Sequence, residues 1–281
     1  MIKALKILLF LTFVLICWGA VVRSTGSGLG CPDWPLCHGQ WIPPFDTATL
    51  IEYTHRLLAS LVGFVTLGVC IAVWSNKEYR SMFGKRAALI LVLLLFQAVL
   101  GGITVETGLQ PPIVTTHLAV GLIFIGLLYF FYLRLKVGGE KKNAPKNFWY
   151  HFSHIAGTLL FLQILLGGMV ASSHAGLACP DFPKCQGLWW PGFEGLVGLQ
   201  FAHRLGAFVV ITMSFITAIK RWPSPVARNL FLLGVLQILL GIGNVFMGLP
   251  LWMRVAHLGV AVLLFLGFIR STYELRRCVN P

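Results

Sequence analysis

The sequence predicts an all-α integral membrane protein: eight transmembrane helices in two pseudo-symmetric four-helix bundles, a tandem repeat with both termini cytoplasmic. Three observations carry that expectation. The chain of 281 residues is 57% hydrophobic and only 11% charged, and a mean hydropathy of +0.81 excludes an ordinary soluble domain. Its apolar runs approach the ~20 residues that a helix needs to cross a bilayer. A block of cysteine, proline, aspartate, histidine and arginine then recurs 148 residues later in the same register, the mark of a duplicated unit.

The expected spans are 4–22, 50–74, 87–106, 114–135, 150–171, 197–219, 229–247 and 254–270. Lys3 and Lys6 before an apolar run resemble a signal peptide, but no small-residue cleavage site follows, so the first span reads as an uncleaved helix. With the N-terminus inside, the cytoplasmic segments hold 17 of the 22 Lys and Arg residues. That bias places the protein in the cell inner membrane with its cysteine loops on the outer face. The positive charge therefore reports topology, and no nucleic-acid partner is implied. Residues 1–137 form the first half, 138–148 a basic cytoplasmic linker and 149–281 the second half.

The first helix gives way to a Gly-rich outer loop and then to Cys31-Pro32-Asp33-Trp34-Pro35-Leu36-Cys37. Its counterpart is Cys179-Pro180-Asp181-Phe182-Pro183-Lys184-Cys185. The gap matches neither zinc spacing nor a haem-attachment motif. On an oxidising face the pairs are expected as disulfides, Cys31–Cys37 and Cys179–Cys185. Cys17, Cys70 and Cys278 have no repeat partner and read as buried or cytoplasmic thiols.

Helix two opens with Glu52-Tyr53-Thr54-His55-Arg56, and helix six with Gln200-Phe201-Ala202-His203-Arg204. Helices four and eight open with His117 and His257. Each histidine lies a few residues inside the outer end of its helix, at a similar depth. The third, fifth and seventh helices share a Gln-x-x-x-Gly text beginning at Gln97, Gln163 and Gln237, read as close helix packing. His38, His174, His151 and His154 read as solvated or interfacial, the first two with no counterpart in the other half.

Ionisable residues inside a membrane are costly and mark function. Two histidines per bundle, on different helices and in both bundles, point to a pair of axial ligands for haem iron, since bundles place ligands by projecting side chains inward. Zinc lacks a third and fourth ligand at that depth in the second half, and a proton relay does not require the duplication. Arg56 and Arg204 either snorkel to the surface or meet haem propionates. Arg254, one turn before His257 where the first half has Val114, is a propionate partner for the second half only. Glu52 and His55 share a helix face. A carboxylate there can stabilise an electron-poor carbon or shuttle protons, or it can be a helix-start acid favoured by the dipole. Glu106 ranks below it as a second acid, with Phe246 in its place in the other half.

Together these residues resemble the haem A synthase family, membrane enzymes that oxidise the C8 methyl of haem O to a formyl group, giving haem A for terminal oxidases. Glu52, His55 and Arg56, as Glu-x-x-His-Arg, are the most specific match. The resemblance implies that His55 and His117 hold the substrate haem, that His203 and His257 ligate an electron-relaying haem b, and that Glu52 is the catalytic carboxylate. It also implies the bacterial form with two cysteine pairs, in which Cys31–Cys37 is redox-active. Expected partners are haem O, the haem O synthase that supplies it, an electron donor such as a quinol, the lipid bilayer and a second copy in a homo-oligomer. The runner-up reading is a non-catalytic diheme cytochrome that passes on electrons from a quinol. A transporter of inverted repeats fits poorly, because four helices per unit return the chain to the same side.

Overall fold

The computed structural model describes residues 1–44, 46–137 and 148–277. Eight of its helices are long and apolar enough to cross a membrane, and they make the chain a multi-pass membrane protein. These are α1 (Ile2–Ser24), α2 (Thr47–Ser75), α3 (Lys77–Glu106), α4 (Pro111–Val137), α5 (Phe148–Ser172), α6 (Gly195–Lys220), α7 (Pro225–Phe246) and α8 (Leu251–Arg277). All but Phe148 of the expected linker lies outside the described residues, as does Cys278.

The largest departure from the expected spans is in α3, which begins at Lys77 and not near residue 87. Asn76 is the single residue between α2 and α3, and its side chain accepts the Tyr79 N–H at 3.0 Å. The charged stretch from Lys77 to Arg86 is thus a capped continuation of the helix. A hydropathy criterion finds the part of a helix that lipid covers and overlooks a polar extension. Asp46 caps α2 by accepting the Thr49 N–H at 2.8 Å. Ser224 caps α7, with Pro225 in the first turn where a missing N–H costs nothing.

The chain divides into two compact units, Met1–Gly138 and Gly139–Pro281. In the first, α1 packs on α2 and α4, and α3 packs on the same two helices. In the second, α5 packs on α6 and α8, and so does α7. Each unit is therefore a closed ring of four helices. Leu5, Leu8, Phe83, Leu122, Ile125 and Phe131 fill the first ring. Leu230, Val262, Leu264 and Phe268 fill the second. Phe10, Phe64 and Ile219 face outward, as a lipid-facing surface requires.

A hairpin closes the cysteine-loop end of each ring. Leu109 and Leu249 adopt left-handed φ of 61° and 62°, which costs a non-glycine residue about 1–3 kcal/mol. Their side chains occupy the space that a Cβ on Gly28 or Gly176 would need. Burying a leucine there offsets the backbone cost and explains why the two glycines belong to the repeat.

Candidate active site

Both cysteine pairs are disulfides, Cys31–Cys37 and Cys179–Cys185, with Cα–Cα distances of 4.7 and 4.6 Å. Inside each loop an aspartate gathers two backbone N–H groups. Asp33 accepts from His38 at 2.6 Å and Gly39 at 2.8 Å; Asp181 accepts from Gln186 at 2.6 Å and Gly187 at 2.9 Å. These donors, foremost Gly39 and Gly187, hold both carboxyls below their ordinary range. His38 has a counterpart after all. Its ring Nε2 lies 3.0 Å from the Gly30 carbonyl, as Gln186 Nε2 donates to the Ala178 carbonyl at 3.1 Å. An imidazole and an amide place an N–H at similar reach, so a comparison of residue types overlooked the match.

The arginines fasten these loops to the helices. Arg56 donates to the carbonyls of Asp33, Leu36 and Cys31 at 2.8, 2.8 and 3.0 Å. Arg204 donates to those of Asp181, Lys184 and Cys179 at 2.7, 2.8 and 2.6 Å. The planar guanidinium fork suits such a ring of acceptors. Neither arginine is a surface side chain reaching for solvent; Arg204 is buried and Arg56 nearly so.

One residue before each arginine, the histidines turn toward the ring interior. His55 and His117 lie within electrostatic range of one another, as do His203 and His257. Each rests on a glycine of the neighbouring helix, where an added Cβ would fall against the imidazole Cε1. Gly19 receives His55 at 3.4 Å, Gly101 His117 at 3.3 Å, Gly167 His203 at 2.9 Å and Gly241 His257 at 3.3 Å. The glutamines one turn earlier approach the same rings. Gln163 Nε2 lies 2.8 Å from His203 Nδ1 and donates to the His203 carbonyl at 2.7 Å. Gln97 Nε2 lies 3.4 Å from His117 Nε2, and Gln237 Nε2 lies 3.3 Å from His257 Nε2.

The Gln-x-x-x-Gly text therefore serves the histidines as well as helix packing. Its presence at one depth on several odd-numbered helices, opposite histidines on even ones, was the available signal. The donor chemistry suits haem iron. The Nδ1 atoms of His55, His117 and His257 are buried without a hydrogen-bond partner, an arrangement that costs about 1–3 kcal/mol per group until a partner arrives. Among the described residues no cluster of three or more His, Cys, Asp or Glu gathers to hold a bare ion. Two imidazoles per unit would supply the protein ligands of a haem iron, His55 with His117 in the first and His203 with His257 in the second.

Glu52 separates the two units. It is buried, 6% exposed, and its Oε1 accepts from Arg56 Nε at 2.9 Å. The carboxylate is thereby tied through one guanidinium to the disulfide loop. Gln200 instead donates to the Gly176 carbonyl at 3.2 Å and leaves its Oε1 buried without a partner. Arg254 Nε is likewise buried without one. Glu106 is exposed at the end of α3, away from this arrangement.

The chain is similar to known proteins over nearly its whole length. Residues 3–269 match the cytochrome oxidase assembly protein family. The chain is 31% identical to the haem A synthase of Shewanella oneidensis over 96% of this chain and 95% of that one. It is 31% identical to that of Alkalihalophilus pseudofirmus over 98% of each. The chain belongs to the haem A synthase family. A Bacillus cereus haem A synthase, 30% identical over 87% of this chain, shows the same kinship.

Proposed function

We propose that this chain is a haem A synthase, an oxidoreductase that converts the C8 methyl of haem O to a formyl group at the first unit. Glu52 carries the proposal: a buried carboxylate one turn before His55, where the second unit has Gln200 before His203. In this reading His55 and His117 hold substrate haem O. His203 and His257 hold a haem b, which supplies a one-electron relay when bound. Arg254, with its buried unpartnered Nε, meets a propionate there. Arg56 and Arg204 act chiefly through the cysteine loops, their guanidinium groups being directed to loop carbonyls.

Forming a formyl group from a methyl adds oxygen and removes electrons and protons, so the carbon passes through an electron-poor stage. A fixed carboxylate stabilises such a carbon more strongly in a water-poor cavity than in solvent, and it can also receive a released proton. The Arg56 ion pair holds Glu52 in position without solvent reorganisation. A recess of about 110 Å³ lined by Cys37, Trp41, Tyr53, Arg56 and Leu57 borders this arginine, room for a few waters. Orientation follows from the cation bias: cysteine loops and haem sites outward, both termini in the cytoplasm, the membrane being the inner one. In this reading the electrons leaving the methyl pass to an external oxidant such as dioxygen, a quinol supplies any further electrons that oxidant needs, and the haem O synthase delivers the substrate.

The test is pigment analysis of the protein expressed with and without haem O. Pyridine haemochrome spectra and mass spectrometry should show haem A formed only when haem O is supplied. Protein that binds haem b in both units and never yields haem A would instead be the diheme cytochrome.

A further inference from the structure

Of the four helix histidines, His55 alone has no amide at the place where the others have one. Gln97, Gln163 and Gln237 each stand four residues before the glycine that receives a histidine. Four residues before Gly19, which receives His55, stands Leu15. The opposing helix changes with it. Three residues after His203, Gly206 leaves the space into which the Gln163 Oε1 fits; three residues after His55 stands Leu58. The first unit thus has Leu15 and Leu58 at the positions where the second has Gln163 and Gly206. Amide and space have been exchanged together, as a hydrogen bond that needs room would require.

A partner on the non-ligating ring nitrogen fixes an imidazole's orientation and tautomer and raises its basicity as a ligand. An amide has both a donor and an acceptor, so it serves either tautomer. Beside His55 there is neither: Leu15 stands at the amide's place, and the Nδ1 atom, like those of His117 and His257, is buried with no hydrogen-bond partner. Packing against Gly19 limits its ring rotation, and no amide stands beside the ring to fix it. We propose that Leu15 is a positioning residue that makes His55 the releasable ligand of the first unit. This unit then exchanges its haem, while the second, with an amide beside each histidine, retains its own. The proposal rests on reading the first unit as the substrate site. A site that takes in one haem and gives up another needs a ligand that lets go; a relay needs the opposite.

Haem transfer provides the test without measuring turnover. Full-length protein loaded with haem b in detergent is mixed with excess apomyoglobin, and the Soret change is followed. Two phases are expected, the fast one absent in His55→Ala and the slow one absent in His203→Ala. Leu15→Gln combined with Leu58→Gly should slow the fast phase on the order of 10-fold, and Gln163→Leu should speed the slow phase ~10–100-fold, the usual reach of an outer-shell partner. The low-spin electron paramagnetic resonance signal of the first unit should move toward that of the second in the double variant. Gln163→Leu needs no new space and decides the matter if the double variant does not fold. Two phases of the assigned origin that neither substitution shifts overturn the role of Leu15 alone. A single phase untouched by His55→Ala overturns the substrate-site reading, and this proposal with it.

Discussion

The first unit carries Glu52, Leu15, Leu58 and Val114 where the second carries Gln200, Gln163, Gly206 and Arg254. Around these positions the units repeat one another closely. The aspartate clasp, the arginine on three loop carbonyls, the leucine plug and the glycine under each histidine occur in both. The repeated contacts involve backbone carbonyls, glycines and disulfides, which build and close a ring of helices. The exchanged residues all sit near the histidines, where they alter charge, hydrogen bonding and space. A duplicated scaffold can therefore divide its labour through a few side chains while its frame remains the same.

The most severe way to break the comparison is to remove a ligand. His55→Ala or His117→Ala should empty the first unit and leave the second loaded, and His203→Ala or His257→Ala the reverse, read by haem content per chain. Next is Glu52→Gln, which gives the first unit the amide of the second. Haem binding should persist while haem A formation falls by roughly 10²–10³-fold, the loss typical of a key electrostatic group. Unchanged product yield would remove Glu52 from the mechanism.

Disulfide loss should have smaller and more equal effects. Each bridge closes a loop with a sequence separation of 6, for which chain entropy gives about 2–3 kcal/mol. Cys179→Ser with Cys185→Ser should lower the thermal midpoint in detergent without changing product. The same pair of changes at Cys31 and Cys37 should lower the midpoint similarly and, if that bridge carries electrons, turnover also. A weaker effect is expected from acid. The carboxyls of Asp33 and Asp181 are depressed in the folded chain, so their contribution is present above the ordinary aspartate value near ~4 and is lost as pH falls through the lower folded value. Protease resistance of the loops should hold from pH 8 to about 5 and decline only below about 4. Asp33→Asn should abolish that pH dependence in the first loop only. Smallest of all is Leu109→Gly: relief of the left-handed backbone, about 1–3 kcal/mol, nearly cancels the lost packing on Gly28, leaving the midpoint almost unmoved.

Much of this was legible before any coordinates. Helix number followed from apolar length, because a lipid-covered helix must be apolar along its whole span. The cysteine pairing followed from spacing and compartment. The arginines were harder to read. Arg56 and Arg204 are the same residue type in the same register, but their acceptors are backbone carbonyls 20 to 25 residues away, and carbonyls leave no trace in residue identity. The bracing of His203 by Gln163 spans 40 residues between helices, beyond any helical periodicity. The charged opening of α3 escaped notice because hydropathy marks where lipid lies and not where a helix ends.

Membrane helices are only loosely held along their own axes, since one apolar residue meets lipid much as the next does. The guanidinium set among three loop carbonyls supplies what lipid does not. A slip of α2 by one residue would raise Arg56 by about 1.5 Å and swing it through about 100°, out of reach of Cys31, Asp33 and Leu36 at once. The loop thus reads the depth and azimuth of the helix like a vernier against a scale. His55 is the residue immediately before the mark, and its position along the helix axis is set by contacts that it does not itself make.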